Sequence, residues 1–205
     1  MPAPAPATGP TPATGPALVS VPMSGAAPVG DVMLFGDSML ARFTKNRIRQ
    51  LESELGPTAT VYNCAAGGWD SSDGVRRAPL LARAGWDTVV LSFGANDCAP
   101  WKHVPIEQFT ENVATVARTF HGARLAAFLP PRIEETGPPG HPPRTNRELD
   151  AYREALRAVV GADACLDTAR LLTGGLEADG LHLTTGSYAA LIPELARVIA
   201  HGTPS

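Results

Sequence analysis

Four short strings in this chain hold residue types that can do chemistry together. Gly36-Asp37-Ser38-Met39 offers a hydroxyl, and Asp179-Gly180-Leu181-His182 offers a carboxylate and an imidazole three residues apart. Gly94-Ala95-Asn96-Asp97 offers a side-chain amide, and Asn63-Cys64-Ala65-Ala66-Gly67-Gly68 ends on two adjacent glycines. A serine hydroxyl is a weak nucleophile unless a base removes its proton. Histidine can be that base and can later return the proton as an acid. Of the five histidines, only His182 follows the last predicted strand with an acidic residue three positions before it. Such a carboxylate can accept the Nδ1–H and fix the tautomer. His103, His121, His141 and His201 read as loop or surface residues. Each string also has an ordinary explanation. Ser and Asp cap helices, Gly-Ala-Asn-Asp can end a strand, and Asp in a polar loop accepts backbone N–H bonds. Their weight comes from their order and from what precedes each one.

What precedes them is strand. Val32–Phe35, Thr60–Tyr62, Thr88–Phe93, Arg124–Leu129 and Ala164–Leu166 are short, mostly apolar runs bounded by turn residues. That pattern suits strands buried on both faces. Helical spacing fills the intervals at Met39–Leu55, Gly74–Ala84, Pro105–Phe120, Asn146–Val160 and Ser187–His201. Pro105 suits a first helical position, where its missing N–H costs nothing. Five strands alternating with five helices predict an α/β fold: a five-stranded parallel sheet in a three-layer α/β/α sandwich. Ligands of such sheets sit beyond the carboxyl ends of the strands, at the switch point. Each of the four strings follows a strand.

In that order and at those places, the strings resemble the SGNH hydrolases, the GDSL-type lipase/esterase superfamily, over about Asp31 to Ala200. The resemblance implies a flavodoxin-like sandwich, a serine esterase needing no cofactor or metal, and a covalent acyl-enzyme on Ser38. Asp179 and His182 would complete a catalytic triad. The backbone N–H of Ser38, the backbone N–H of Gly68 and the Asn96 amide would form the oxyanion hole. The helix opening at Ser38 would also favour developing negative charge. Two departures stand out: Met39 replaces the commoner Leu, and Ala65 stands where the family often has glycine. The expected substrate is a small-molecule or glycan ester, with short-chain or carbohydrate O-acetyl esters preferred. An acyltransferase on the same site, or an inactive ligand-binding module with this fold, are the alternatives. A nucleotide- or flavin-binding domain fits poorly, for neither G-x-x-x-x-G-K-[ST] nor G-x-G-x-x-G is present.

Residues expected around the pocket are Asp37, Trp69 (followed by Asp70 and Asp73), Asp97 (followed by Cys98, Trp101 and Lys102) and Arg132. Trp69 and Trp101 serve equally well as covers over the sheet's end. Pro130–Pro143 carries six prolines and follows the fourth strand. It is long for a loop, and we expect a semi-rigid pocket wall.

Composition bounds the rest. At 205 residues the length suits one domain. Eight of the 20 prolines fall in Met1–Gly30, which lacks any charged residue and repeats Pro-Ala-Thr-Gly-Pro at Pro6–Pro10 and Pro12–Pro16. Such a stretch favours extended conformations and offers little to bury. Residues 1–30 are therefore read as a tail or linker and 31–202 as the catalytic domain. No signal peptide is recognisable, which favours the cytoplasm; a processed, secreted form is the other reading. Net charge is −3 and no basic cluster exceeds a pair, so nucleic acid is not an expected partner. No apolar run is long enough to span a membrane. Cys64, Cys98 and Cys165 have no metal-like spacing and read as free thiols, with a Cys64–Cys98 bridge open to an exported chain. Oligomeric state is not legible.

Overall fold

A computed structural model of the chain describes residues 1, 29–135, 140–172 and 174–201. The strands are β1 (Asp31–Gly36), β2 (Thr60–Asn63), β3 (Thr88–Ser92), β4 (Arg124–Leu129) and β5 (Cys165–Asp167). They pair parallel throughout, in the order β2-β1-β3-β4-β5. This is the flavodoxin-like order, in which the chain leaves β1 in one direction for β2 and returns past it to β3. The crevice of such a sheet opens between the carboxyl ends of β1 and β3.

The helices are α1 (Ser38–Ala41), α2 (Lys45–Leu55), α3 (Ser71–Leu81), α4 (Ile106–Thr119), α5 (Asn146–Val160), α6 (Thr168–Leu171) and α7 (Thr185–His201). Alternate strand residues point to opposite faces, and the core divides accordingly. Val32, Leu34, Val90 and Phe128 pack with Leu51 of α2 and with Tyr188 and Leu195 of α7. Met33, Phe35, Val89 and Leu91 pack with Phe109 and Val116 of α4 and Leu149 of α5. Three layers result because every residue of β1 after Asp31 is buried.

Three features depart from the sequence reading. The single helix predicted over Met39–Leu55 is two, broken at Arg42–Thr44. Phe43 turns inward at the break and meets Tyr188 and Phe128 edge-on, with centroids 5.5 and 6.2 Å away. Next, α3 starts at Ser71, ahead of the predicted Gly74, because Asp70 and Asp73 form a reciprocal capping box there. Finally, Val29 and Gly30 belong to the packed structure. Val29 is buried, its carbonyl accepts from Thr58 Oγ1 at 2.8 Å, and Gly30 O accepts from Thr60 N at 3.1 Å. The remainder of the leading segment, residues 2–28, lies outside the described residues, as do 136–139 of the proline loop and residue 202. The three cysteines are unpaired. Among the described residues, no helix is long and apolar enough to cross a membrane.

Candidate active site

Ser38 is the first residue of α1, immediately beyond β1. The strand brings it there because Gly36 lies flat against β3: a Cβ at Gly36 would come within 2.1 Å of Ser92 O. Asp37 N then donates to that same Ser92 carbonyl at 2.9 Å. Asp37 Oδ1 caps α1 by accepting from Met39 N at 2.9 Å, and it accepts from Ser92 Oγ at 3.2 Å. The carbonyls at the far end of this short helix are also satisfied. Asn63 Nδ2, at the end of β2, donates to Leu40 O at 2.9 Å and Phe43 O at 3.1 Å, and Tyr188 Oη donates to Met39 O at 2.7 Å. One turn of helix carries little macrodipole. Asp37 already accepts from Met39 N and Ala41 N, which leaves the Ser38 N–H itself, with no acceptor inside the helix.

His182 arrives on the loop before α7. An antiparallel bridge Leu176↔Leu183 and a 2.6 Å bond from Glu177 N to His182 O hold that loop as a narrow hairpin. His182 Nε2 lies 2.8 Å from Ser38 Oγ, and its Nδ1 lies 2.5 Å from Asp179 Oδ2. The other Asp179 oxygen accepts from Leu181 N at 3.0 Å and His182 N at 2.9 Å. Partial burial raises the Asp179 pKa, but the bonds from the His182 ring and from these two N–H groups outweigh it. They hold the carboxyl well below the usual carboxylate range. An ionised Asp179 and an Nδ1–H imidazole leave Nε2 free to accept from Ser38.

The loop after β2 approaches from the other side. Gly68 has φ +80, a conformation that favours glycine, and a Cβ there would touch nothing within 4 Å. Backbone conformation, not crowding within the protein, sets the residue type here. Lys102 Nζ donates to Gly68 O at 2.6 Å and pairs with Asp70 at 3.2 Å, which fixes the tilt of that peptide. Asn96 follows β3; its Nδ2 donates to Trp69 O at 2.8 Å, leaving a second amide hydrogen. Ser38, Gly68, Asn96 and His182 line one open cavity of about 460 Å³. Ala41, Gly67 and Leu181 share its wall with two arginines, Arg42 and Arg144.

Several expected pocket residues do other work. Asp37 is fully buried and faces inward. Burial pushes its pKa up to about 7, against the bonds from Met39 N and Ser92 Oγ, and Oδ2 has no partner. Asp97 is buried too; it accepts from Ser71 N at 2.8 Å and Gly94 N at 2.9 Å, tying the loops after β2 and β3 together. Burial raises its pKa against those bonds. Asp70 and Asp73 cap α3, and Cys98 is buried. Trp69 covers the sheet's end between Phe35, 6.2 Å away, and the Arg77 guanidinium, 4.1 Å above its ring. Arg132 is exposed and pairs with Asp150 on α5 at 3.2 Å, away from the cavity. Trp101 meets the cavity only through Arg144, whose guanidinium lies 4.5 Å above its ring. Sequence reasoning missed Arg42 and Arg144. Neither belongs to a recognisable string, although Arg144 directly ends the proline loop, a signal that could have been used. Glu177, Asp179 and His182 bring one ligand atom each within 4.8 Å of one another. Glu177 is spent on Arg42 at 2.8 Å and Asp179 on His182, so bonds within the protein account for the trio.

The parallel sheet thus carries a hydrogen-bonded row of Ser38, His182 and Asp179 at its switch point. The family model for the GDSL-like lipase/acylhydrolase family matches residues 34–190, and the chain belongs to that family. Among solved structures, it is similar to the lipase/acylhydrolase from Enterococcus faecalis, at 22% identity and a TM-score of 0.71, covering 86% of this chain and 99% of that one. It is also similar to a carbohydrate acetylesterase from Sinorhizobium meliloti, at 16% identity and TM-score 0.69, covering 83% and 98%. The aryl esterase of M. smegmatis stands at 15% and 0.68, covering 82% and 97%. At these identities the likeness is one of fold. No curated protein matches in sequence.

Proposed function

We propose that this chain is a serine esterase that hydrolyses carboxylic esters through an acyl-enzyme on Ser38. The observation that carries the reading is the Ser38–His182–Asp179 relay, 2.8 and 2.5 Å long, opening on a cavity also lined by Gly68 and Asn96. Ser38 Oγ attacks the ester carbonyl as its proton passes to His182 Nε2. The oxyanion takes hydrogen bonds from the N–H of Ser38, the N–H of Gly68 and the free hydrogen of the Asn96 amide. The C–O bond then breaks, and His182 returns the proton to the leaving alcohol. Water, deprotonated by the same imidazole, releases the acid and restores Ser38.

A small acyl group, such as acetyl, fits a cavity this open. The carbohydrate acetylesterase among the structural neighbours supports an acetyl ester. The test is hydrolysis of 4-nitrophenyl acetate together with labelling by a fluorophosphonate. Ser38→Ala should lower turnover by at least about 10⁴-fold and abolish labelling while leaving the melting temperature within a few degrees. Wild-type turnover in that variant would exclude the acyl-enzyme on Ser38.

A further inference from the structure

Arg144 is a cation on the cavity wall with no counter-ion among the described residues. It lines the same cavity as Ser38 and His182. Its guanidinium lies over the face of Trp101, and Trp101 is braced by the His141 ring, 5.7 Å between centroids. Stacking on a ring face orients a guanidinium but leaves the N–H donors in its plane unspent. Arg144 Nε is buried with no hydrogen-bond partner. Among the described residues no ion pair includes Arg144, whereas Arg42 across the cavity is paired with Glu177. All 20 Asp and Glu of the chain fall within the described residues, so no other segment can supply a carboxylate side chain. The two acids nearest in effect are already occupied: Asp37 faces inward and caps α1, and Asp179 holds His182. An arginine partly withdrawn from water and unpaired is costly to keep unless something arrives to pair with it.

We propose that Arg144 recognises a carboxylate on the substrate, so that the preferred ester carries a carboxylate on the part lying along the Trp101 side of the cavity. This rests on the esterase reading for where the ester sits. One unpaired arginine matches a single negative charge, and its planar fork matches the two oxygens of a carboxylate. A phosphate dianion would call for more positive charge than the wall provides.

Matched esters test this. 4-Acetoxybenzoate and 4-acetoxybenzamide place the charge, or its neutral counterpart, on the alcohol side. Mono-4-nitrophenyl glutarate and 4-nitrophenyl pentanoate do the same on the acyl side. In the wild type, the charged member of at least one pair should exceed its neutral partner about tenfold in kcat/KM, mostly through KM. Arg144→Gln should bring that ratio near one, and Arg144→Lys, which keeps the charge without the fork, should retain part of it. Arg118→Gln, a charge change on the exposed face of α4, should leave the ratio unchanged. Ratios near one for the wild type in both pairs, or a ratio unmoved by Arg144→Gln in a protein with an unchanged melting temperature, would overturn the proposal. Calorimetric binding of the same four esters to Ser38→Ala separates the two readings. If charged esters bind tighter there while the wild type hydrolyses none of them, the carboxylate site stands and the esterase reading falls. If the wild type hydrolyses the esters and neither rate nor binding distinguishes charged from neutral, the esterase reading stands and the carboxylate site falls.

Discussion

Asp37 stands beside the proposed nucleophile yet acts inward, and its chemistry belongs to stability. Its folded-state pKa of about 7 lies above the ordinary value of 3.8, because burial disfavours the charge. Between those two values the native state keeps a proton that the unfolded chain releases. The contribution of Asp37 to stability therefore falls as pH rises through that window and is level above it. Asp37→Asn keeps an oxygen for Met39 N–H and removes the titration. Relative to the wild type, its melting temperature should rise by several degrees between pH 5 and pH 8; a difference that stays constant across that range would refute the account. The Asp179 pKa lies below the window, so its contribution is already complete at pH 5. Ser38, Asp179 and His182 were legible in the sequence because short strings announce them. Asp37, Asp97 and Arg132 were expected at the pocket and turn elsewhere, and Trp69 takes the covering role that was one of its two readings, because composition and spacing do not say which way a side chain turns beyond the end of a strand.

At the scale of elements, the site depends on how closely β1 and β3 lie at their carboxyl ends. Gly36→Ala would push a methyl group against a backbone carbonyl, which has no flexible end to yield. The expected cost exceeds about 3 kcal/mol, seen as a fall in melting temperature of roughly 10 °C or as failure to yield soluble protein. Gly67→Ala is the contrast. Its Cβ meets nothing within 4 Å and its φ is not positive, so thermal stability should change by less than about 1 kcal/mol. Equal effects of the two changes would show that strand contact is not what Gly36 provides. The break between α1 and α2 belongs to the same scale. Periodicity alone reads one helix from Met39 to Leu55, because Phe43 fits an apolar stripe. Only the pockets around Tyr188 and Phe128, and the Asn63 amide, make stopping at Ala41 preferable.

Across the whole molecule, two apolar layers flank a sheet and all the proposed chemistry sits at one edge of it. The packed body extends back to Val29, which inserts into the layer containing Leu51 and Leu195. Burying a valine stabilises by about 1.5–3 kcal/mol. A chain beginning at Val29 should keep ester turnover and melting temperature, whereas one beginning at Asp31 should melt roughly 5 °C or more lower by calorimetry. Equal melting temperatures for the two would mean that Val29 contributes nothing. The loop after β4 is tied down at both ends. Glu134 N donates to Gly180 O at 2.8 Å, Asn146 Oδ1 accepts from Ile133 N at 2.9 Å, and Asn146 Nδ2 donates to Ile133 O at 2.8 Å. This anchoring brings the loop against the hairpin that carries His182 and delivers Arg144 to the cavity.

By itself, the sequence determined the parallel α/β architecture and the family resemblance, and it singled out Ser38, Asp179 and His182, which the structure brings within hydrogen-bond distance of one another. Buried parallel strands must be continuously apolar, and reactive residues at their ends come in short local strings. Tertiary structure alone decided which neighbours face the cavity. The inward Asp37, the loop-tying Asp97 and the unpaired Arg144 owe their roles to partners 55, 26 and 43 positions away in the sequence, respectively Ser92, Ser71 and Trp101. Burial and pairing between such distant residues are settled only when the layers pack.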